Sequence, residues 1–527
     1  MTLTQLPKNA KVAVLGAGIS GLTFTYFLSK LRPDIRFTIF EKQNRPGGWM
    51  SSPSLKIRNT NESILLEKGP RTLRGVKDGT LLMIDIFRKL GLESQVEVLS
   101  DKCDANKKYI LDSSGEIIQV PDSVSTGLNF VKNVSFVDGK FVLGVLKEPF
   151  VKPNAADETI EQFFKRRFGS TVLTDNVASA VIHGIYAGDV GKLSVKTVLP
   201  FLKDFESQAG SIIKYMLKSK PEKPKGLSEE MQTYEKLFSP SAQLLQLQQK
   251  LKHYPMIKFH DGMEIFPKSL ADYLQENKNI KIEYNSTIND INPVSGTVNG
   301  ENFNHIRSTI NAHALAKALP QQEPLVPLLN SIQYVSIFLT NVYTKTSSLI
   351  PKGKPGFGFL VPRYSSVSQN PDALLGTIYD SDVENNVEGL FNSFKPVPSE
   401  NNKITMMIGG HYYTNWTPPS NSVNVSIVKK VLESKLKVDL SKFNIRLIKE
   451  NEPLELDDLK DDDLVISYNY HENCIPQYNV GYEETKAKVN NLLEKDYKLS
   501  FGGTVFGEGL GVPDCVINSF KDTLKLQ

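Results

Sequence analysis

Cysteine is nearly absent: the 527 residues contain three, Cys103, Cys474 and Cys515, far apart and odd in number. That excludes a disulfide framework or a zinc site as the basis of the fold and fits a reducing, intracellular compartment. Histidine is also sparse, at seven, and no set of nucleophile, base and acid presents itself. Neither sign of charge dominates. Lysine plus arginine number 62 against 58 for aspartate plus glutamate, a balance that gives no field suited to nucleic acid. One uncharged stretch, residues 12–29, approaches the length of a membrane span. It contains Gly16, Gly18 and Gly21 with several serines and threonines, and its front half is strand-like, which a lipid-facing helix would not be. Residues 1–33 carry four basic side chains and no acid, as transit peptides do, but the fold is expected to begin near Lys11, leaving little to cleave. Solenoid or propeller periods and low-complexity tracts are missing too.

What is present is an ordinary globular composition, 40% hydrophobic and 23% charged, in a chain too long for one core. Two or three packed units are expected. The clearest pattern opens the chain: an apolar run at 12–15, helical spacing at 22–31, and a second run at 37–40 ending on Glu41, which reads as a βαβ unit. Between the first two elements lies Gly16-Ala17-Gly18-Ile19-Ser20-Gly21. The first glycine permits a tight turn, the second a close approach of backbone to pyrophosphate, and the third close packing of helix on sheet, while the helix amides face the negative charge. Glu41 follows Gly21 by twenty positions, where a carboxylate can accept from a ribose diol. A glycine-rich turn with a structural glutamate does not explain that spacing, so a dinucleotide is expected.

Beyond it, 80–90, 159–168 (with Glu158 and Glu161 as an acidic first turn) and 172–182 predict helices, making 80–250 mostly helical. The lysine-rich run 214–225 reads as a solvated connection. A second βα pattern is expected at 281–291, then a strand at 308–310 before a helix at 312–319. From 334 to about 466 β-branched and apolar runs such as 334–339, 373–379 and 404–408 predict a largely antiparallel sheet. The acidic tract 455–463 (ELDDLKDDD) reads as a solvated face or turn rather than a metal site.

Only four positions past Glu41 stands Arg45-Pro46-Gly47-Gly48-Trp49, whose paired glycines let main chain lie against phosphate with a cation nearby. This extended pattern resembles the flavoproteins that include amine oxidases, carotenoid desaturases and protoporphyrinogen oxidases, and implies FAD rather than NAD. The resemblance then narrows. Residues 66–72 (LEKGPRT), 157–169 (DETIEQFFKRRFG), Gly184-Ile185-Tyr186-Ala187-Gly188-Asp189 with Leu193-Ser194 and Pro200, residues 356–363 (GFGFLVPR), 375–379 (LGTIY), Gly409-Gly410 and 475–481 (IPQYNVG) are similar, in order, to protoporphyrinogen oxidases of the fungal type. The matches span about 11 to 523. Asp261-Gly262 departs from the family's glycine pair, its proline is replaced near His313, and the C-terminal motif, 502–504 through 509–512, has an apparent insertion.

The resemblance implies an α/β protein, α+β overall. A Rossmann-like FAD-binding domain would be assembled from 10–76, 252–320 and 495–524, with a mainly helical, membrane-contacting domain at 77–251 and a mixed-sheet substrate domain at 321–494. It implies oxygen-dependent oxidation of protoporphyrinogen IX to protoporphyrin IX with release of hydrogen peroxide, in haem biosynthesis, the flavin carrying the chemistry. One non-covalent FAD per chain would be held by Gly16, Ala17, Gly18, Ile19, Ser20, Gly21, Glu41, Lys42, Arg45, Gly48, Trp49, Gly69, Pro70, Arg71, Thr72, Ile288, Thr504, Leu510, Gly511 and Val512. A tetrapyrrole is a broad apolar disc with carboxylates on one edge, so its site calls for an arginine and apolar walls. Arg74 is the expected anchor, with Gly184, Phe357, Phe359, Leu360 and Tyr379 as walls; core packing and surface ion pairs are the alternative readings of these residues. The family further implies peripheral attachment to the mitochondrial inner membrane by an amphipathic surface, and leaves a homodimer and contact with ferrochelatase open. The rival readings are an amine or polyamine oxidase and a non-catalytic flavin-binding protein.

Overall fold

The computed structural model describes residues 5–112, 114–121, 139–218, 226–240, 243–363, 370–415, 417–494 and 497–526. The opening pattern folds as strand Lys11–Leu15, helix Ile19–Leu31 and strand Arg36–Phe40. Residues 12–15 are buried on both faces, and alternate residues serve different cores. Val12 and Val14 pack with the cluster around Phe27 and Phe520, Ala13 and Leu15 with the one around Phe40 and Ile306. The complete sheet is five-stranded and wholly parallel, in the order Ile280–Glu283, Arg36–Phe40, Lys11–Leu15, His305–Ser308, Leu499–Phe501. Lys11–Leu15 is therefore central, with chain leaving it to both sides, and its carboxyl end is the switch point where such sheets open a crevice. Helix Val512–Thr523 packs beside Ile19–Leu31, with the rings of Phe27 and Phe520 5.4 Å apart.

A second sheet has eight strands, in the order Asn444–Ile448, Asp463–Pro476, Tyr334–Thr344, Asn402–Gly410, Leu374–Ile378, Gly358–Leu360, Lys108–Leu111, Ile117–Gln119. It is antiparallel except at two neighbouring pairs, Asn444–Ile448 with Asp463–Pro476 and Gly358–Leu360 with Lys108–Leu111. The α/β class with a Rossmann-like unit and a mixed sheet is what the sequence implied.

Several elements differ from the sequence reading. Residues 281–291 form no βα unit: strand Ile280–Glu283 is preceded by its helix, Ile265–Gln275, and a short antiparallel meander spans 291–302. The strand before helix Ala312–Ala318 ends at Ser308, and Asn311 caps that helix by accepting from the His313 amide at 2.8 Å. The section read as mostly helical also supplies strands Val96–Leu99, Lys108–Leu111 and Ile117–Gln119, because its connections return to the sheets. Helix Ile160–Phe168 starts at a Thr159–Gln162 capping box, while Glu158 turns away to Arg166 and Lys203. The stretch 172–182 divides into a π-turn, Thr174–Ala178, and helix Ser179–Tyr186. Of the lysine-rich run, 214–218 ends helix Ile212–Lys218 and 219–225 lie outside the described residues. The acidic tract is no uniform solvated face: Glu455 and Asp457 pair with Arg58, and Asp463 is buried against Asn444, Arg446 and the Lys460 amide. No helix among the described residues is long and apolar enough to cross a membrane.

Candidate functional site

The glycine loop sits at the carboxyl end of the central strand, and its three glycines meet different surroundings. Gly16 has φ +100°, and a methyl there would lie 3.0 Å from Thr309 Oγ1. A methyl on Gly21 would lie 2.1 Å from the Gly16 carbonyl, so only hydrogen lets the helix come this close to the loop. Around Gly18 no atom lies within 4 Å of the corresponding position. The helix that begins at Ile19 has no side-chain cap, which leaves its first amides to an outside acceptor. This is the cradle a pyrophosphate requires.

Glu41 is buried and fixes the loop from the second strand, accepting from the Ala17 and Gln43 amides at 2.8 Å each. Its oxygens retain lone pairs for a diol. The Ser286 amide donates to the Glu41 carbonyl, which brings the half-buried Ile288 segment alongside; Lys42 is exposed. The second glycine loop lies against the first: the Gly47 amide donates to the Ala17 carbonyl at 2.9 Å, and a methyl on Gly48 would be 3.4 Å from Gly18 Cα. Arg45 corrects the sequence reading. Its guanidinium donates to the carbonyls of Pro46, Gly48 and Met50 and to Glu264, so its charge orders the glycine turn and is not directed at a phosphate.

Residues 66–72 run beside this turn, with Lys68 N donating to the Ser51 carbonyl at 2.9 Å; a methyl on Gly69 would fall 1.8 Å from the Trp49 carbonyl. Trp49 is half exposed and edge-on to His471. Pro70 and Thr72 are half-buried, and Arg71 is buried with Nε 3.4 Å from Asp380, while Nε and Nη1 have no hydrogen-bond partner among the described residues. Such a guanidinium calls for an additional acceptor. From the other end of the chain, Gly503 and helix Val512–Thr523 reach Ser20: a methyl on Gly503 would be 3.7 Å from Ser20 Oγ, and Ser519 Oγ donates to the Ser20 carbonyl. Thr504 accepts from Tyr478 through its carbonyl, Leu510 packs against the second core, and Gly511 precedes the buried Val512. Three distant stretches thus converge on one crevice, and they fit a dinucleotide by the open position at Gly18, the uncapped helix and the under-partnered Arg71.

Sequence reasoning missed the charged cluster beneath residues 66–72. Burial pushes the Glu67 carboxyl up to about 6, against hydrogen bonds from Ser52 and the Met263 amide. Burial, then Arg71, pushes the Lys68 amine down to about 7, and its Nζ donates to Ser467 Oγ at 2.8 Å. Burial also raises Asp380 despite Arg71 and Lys403. For Glu67 and Lys68 the neighbouring motif was a signal; for Asp380, more than 300 residues away, there was none.

On the far side, Arg74 is exposed, and its guanidinium has no hydrogen-bonding or carboxylate partner among the described residues. Burial, then Arg74, lowers the Lys108 amine, which places two cations near one another. Gly184 and Leu360 do meet. A methyl on Gly184 would be 2.8 Å from Leu360 Cδ2, and one on Gly376 2.9 Å from the same atom, so Leu360 lies between two glycines. Phe357 lines a cavity with Arg71, Thr72, Lys258, Asp380 and Glu384. Phe359 and Tyr379 are not walls. Neighbouring strand residues face opposite ways, so Phe359 enters the core of the sheet, where its ring meets that of the fully buried Tyr379 at 6.3 Å.

A parallel sheet with a glycine-rich switch point and a crevice completed by a second, mixed sheet defines a nucleotide-cofactor oxidoreductase. In agreement, residues 19–504 match the family described as flavin containing amine oxidoreductase. The chain is 36% identical to protoporphyrinogen oxidase of Saccharomyces cerevisiae, over 100% of this chain and 99% of that protein. It is 27% identical to the Schizosaccharomyces pombe protoporphyrinogen oxidase, covering 98% of each. A solved structure from an Exiguobacterium species superposes with a TM-score of 0.68 over 99% of both chains at 17% identity, a likeness of fold. The chain belongs to the flavin-dependent protoporphyrinogen oxidase family.

Proposed function

We propose that this enzyme oxidises protoporphyrinogen IX to protoporphyrin IX in haem biosynthesis, with molecular oxygen as final acceptor and hydrogen peroxide as co-product. The observation that carries the reading is the end-to-end similarity to the yeast enzyme, together with a crevice in which both glycine loops and residues 66–72 meet. One non-covalent FAD per chain, held by the segments 10–76, 252–320 and 495–524, would supply hydride acceptance and transfer to oxygen. The chain's own contribution is binding and exclusion of water. Gly18 and the first amides of its helix receive the pyrophosphate, Glu41 the ribose, and Arg71 supplies donors from a buried position. Gly184, Leu360 and Phe357 belong to the wall of the substrate pocket, within a domain of residues 321–494 and the adjoining helical unit 77–251. Arg74, with Lys108 beside it, offers an unpaired cationic edge for the two propionates.

Attachment to the mitochondrial inner membrane is peripheral in this reading. Helices Gly139–Lys147 and Ile212–Lys218 expose Leu146, Met216 and Leu217, and Phe150 between them is 84% exposed, flanked by Lys140, Lys147, Lys214 and Lys218. An apolar patch rimmed by lysines suits an anionic lipid surface. A homodimer and contact with ferrochelatase belong to the same proposal. The test is aerobic turnover of protoporphyrinogen IX, following porphyrin fluorescence and peroxide together, with anaerobic flavin bleaching as control. Bleaching by spermine but not by the porphyrinogen would overturn the assignment in favour of an amine oxidase.

A further inference from the structure

Helix Ser179–Tyr186 carries Gly184 and is joined to the second sheet through a pair of buried histidines that no motif singled out. His183 Nδ1 lies 2.6 Å from the Val361 carbonyl, one residue beyond the strand that presents Leu360. His183 Nε2 lies 2.9 Å from His411 Nε2. The rings stand 5.0 Å apart at 27°, with Tyr412 packed against both. His411 follows strand Asn402–Gly410, and its amide donates to the Ala187 carbonyl at 2.8 Å. Three segments therefore meet at this pair: the Gly184 helix, the Leu360 strand and the end of Asn402–Gly410.

The partners assign the protons. A carbonyl only accepts, so His183 carries its hydrogen on Nδ1; burial, then His411, opposes a second proton, so its Nε2 is bare and accepts, and His411 must donate from Nε2. Both rings are neutral, each in one tautomer. A proton added to His183 would have to enter at Nε2, setting two N–H donors against each other. The charged groups that face the pair are Asp189, Arg363 and Lys192, and Arg363 is itself engaged by Asp175 and Glu161. Burial, with Arg363 and Lys192 as the nearby cations, opposes charge on His411.

We propose that His183 and His411 form a neutral, proton-fixed strut that positions the Gly184 helix against Leu360 and so sets the width of the substrate pocket. They are positioning residues. The proposal rests on the protoporphyrinogen reading for the identity of the substrate. A glutamine at 411 keeps a donor where Nε2 stands, and a leucine removes it. In holoenzyme, His411→Leu should raise the KM for protoporphyrinogen about tenfold, with a smaller change in kcat and unchanged flavin content, while His411→Gln stays near wild type. Nitrogen-15 spectra of histidine-labelled holoenzyme should show one ring protonated only at Nδ1 and one only at Nε2, neither titrating between pH 5.5 and 8. A KM in the leucine variant equal to wild type, or either ring titrating near pH 6.5, overturns the proposal. If wild type fails to oxidise protoporphyrinogen, the functional reading falls, and the ring spectra still decide whether the strut exists.

Discussion

Gly18 and Gly21 stand three residues apart in one motif, the first capping the helix and the second in its first turn, and alanine at each should produce opposite failures. At Gly18 the backbone has φ −73° and ψ 175°, extended values that any residue adopts, and no atom lies within 4 Å of a new methyl. The flavin-free protein should therefore fold at least as well, with a gain of ~0.4–1 kcal/mol from a less flexible unfolded chain. The same methyl projects into the space left for the pyrophosphate. Overfilling a fitted contact costs about 1–3 kcal/mol, which weakens flavin binding by about 5- to 150-fold. At Gly21 the methyl would stand 2.1 Å from the Gly16 carbonyl, a backbone atom that cannot rotate away. Helix and loop must separate, and stability should fall by ~1–3 kcal/mol or more along with flavin affinity. Thermal unfolding of flavin-stripped protein and fluorescence titration with FAD separate the two effects. A Gly18→Ala protein that melts as low as Gly21→Ala, or binds FAD like wild type, would refute the reasoning.

Lys68→Met should stabilise the fold at pH 7 by up to about 4 kcal/mol, less the lost hydrogen bond to Ser467, and by almost nothing at pH 10.5. The folded amine loses its proton near pH 7 and the unfolded one at about 10.4, so wild-type stability rises with pH across that window; chemical denaturation at both pH values checks the difference. His183, His305 and His411 are each held down to about 3, by burial first. Below pH 6.5 the unfolded chain binds protons that the folded one refuses, so stability should fall by about 4 kcal/mol per pH unit until other groups titrate. His305→Gln should remove about a third of that slope. Gly184→Ala presses on the mobile end of Leu360, so it should fold normally yet cut kcat/KM about tenfold, mostly through KM; an unchanged KM would remove Gly184 from the wall. The double variant Leu146→Glu with Leu217→Glu should abolish co-sedimentation with anionic vesicles while leaving flavin content intact, and persistent sedimentation would place the membrane face elsewhere.

The cofactor crevice was largely legible because its signals are local. Glycines at fixed offsets and a glutamate at the end of the next strand occupy one stretch of chain, and their backbone demands hardly depend on what packs around them. Arg45 shows the limit of that locality: a cation four residues beyond Glu41 reads as a phosphate partner until three nearby carbonyls and Glu264, at the start of a distant helix, take it up. Phe359 and Leu360 show another. Both are large and apolar, and only the position of the glycines opposite Leu360 decides which of them leaves the core. The absent helix at 281–291 leaves isoleucines at 282, 288 and 291 in three different settings. Ile282 belongs to a parallel strand, Ile288 packs against the core around Phe40, and Ile291 starts a meander. The Arg71–Asp380 and His183–His411 pairs join residues separated by more than 200 positions, and nothing local encodes them.

The parallel sheet has a consequence for how the protein is made. Its centre is laid down in the first forty residues, but the strand that closes one edge is Leu499–Phe501, and the helix that covers Ile19–Leu31 is Val512–Thr523. During synthesis the side of Phe27 that meets Phe520 must wait through the translation of more than 450 residues, although Tyr234 and Phe238 reach the same ring earlier. Flavin capture is thus set late, after residue 523 has cleared the ribosome, and ribosome-bound chains truncated before residue 499 should retain no flavin even though every residue of the glycine loop is present.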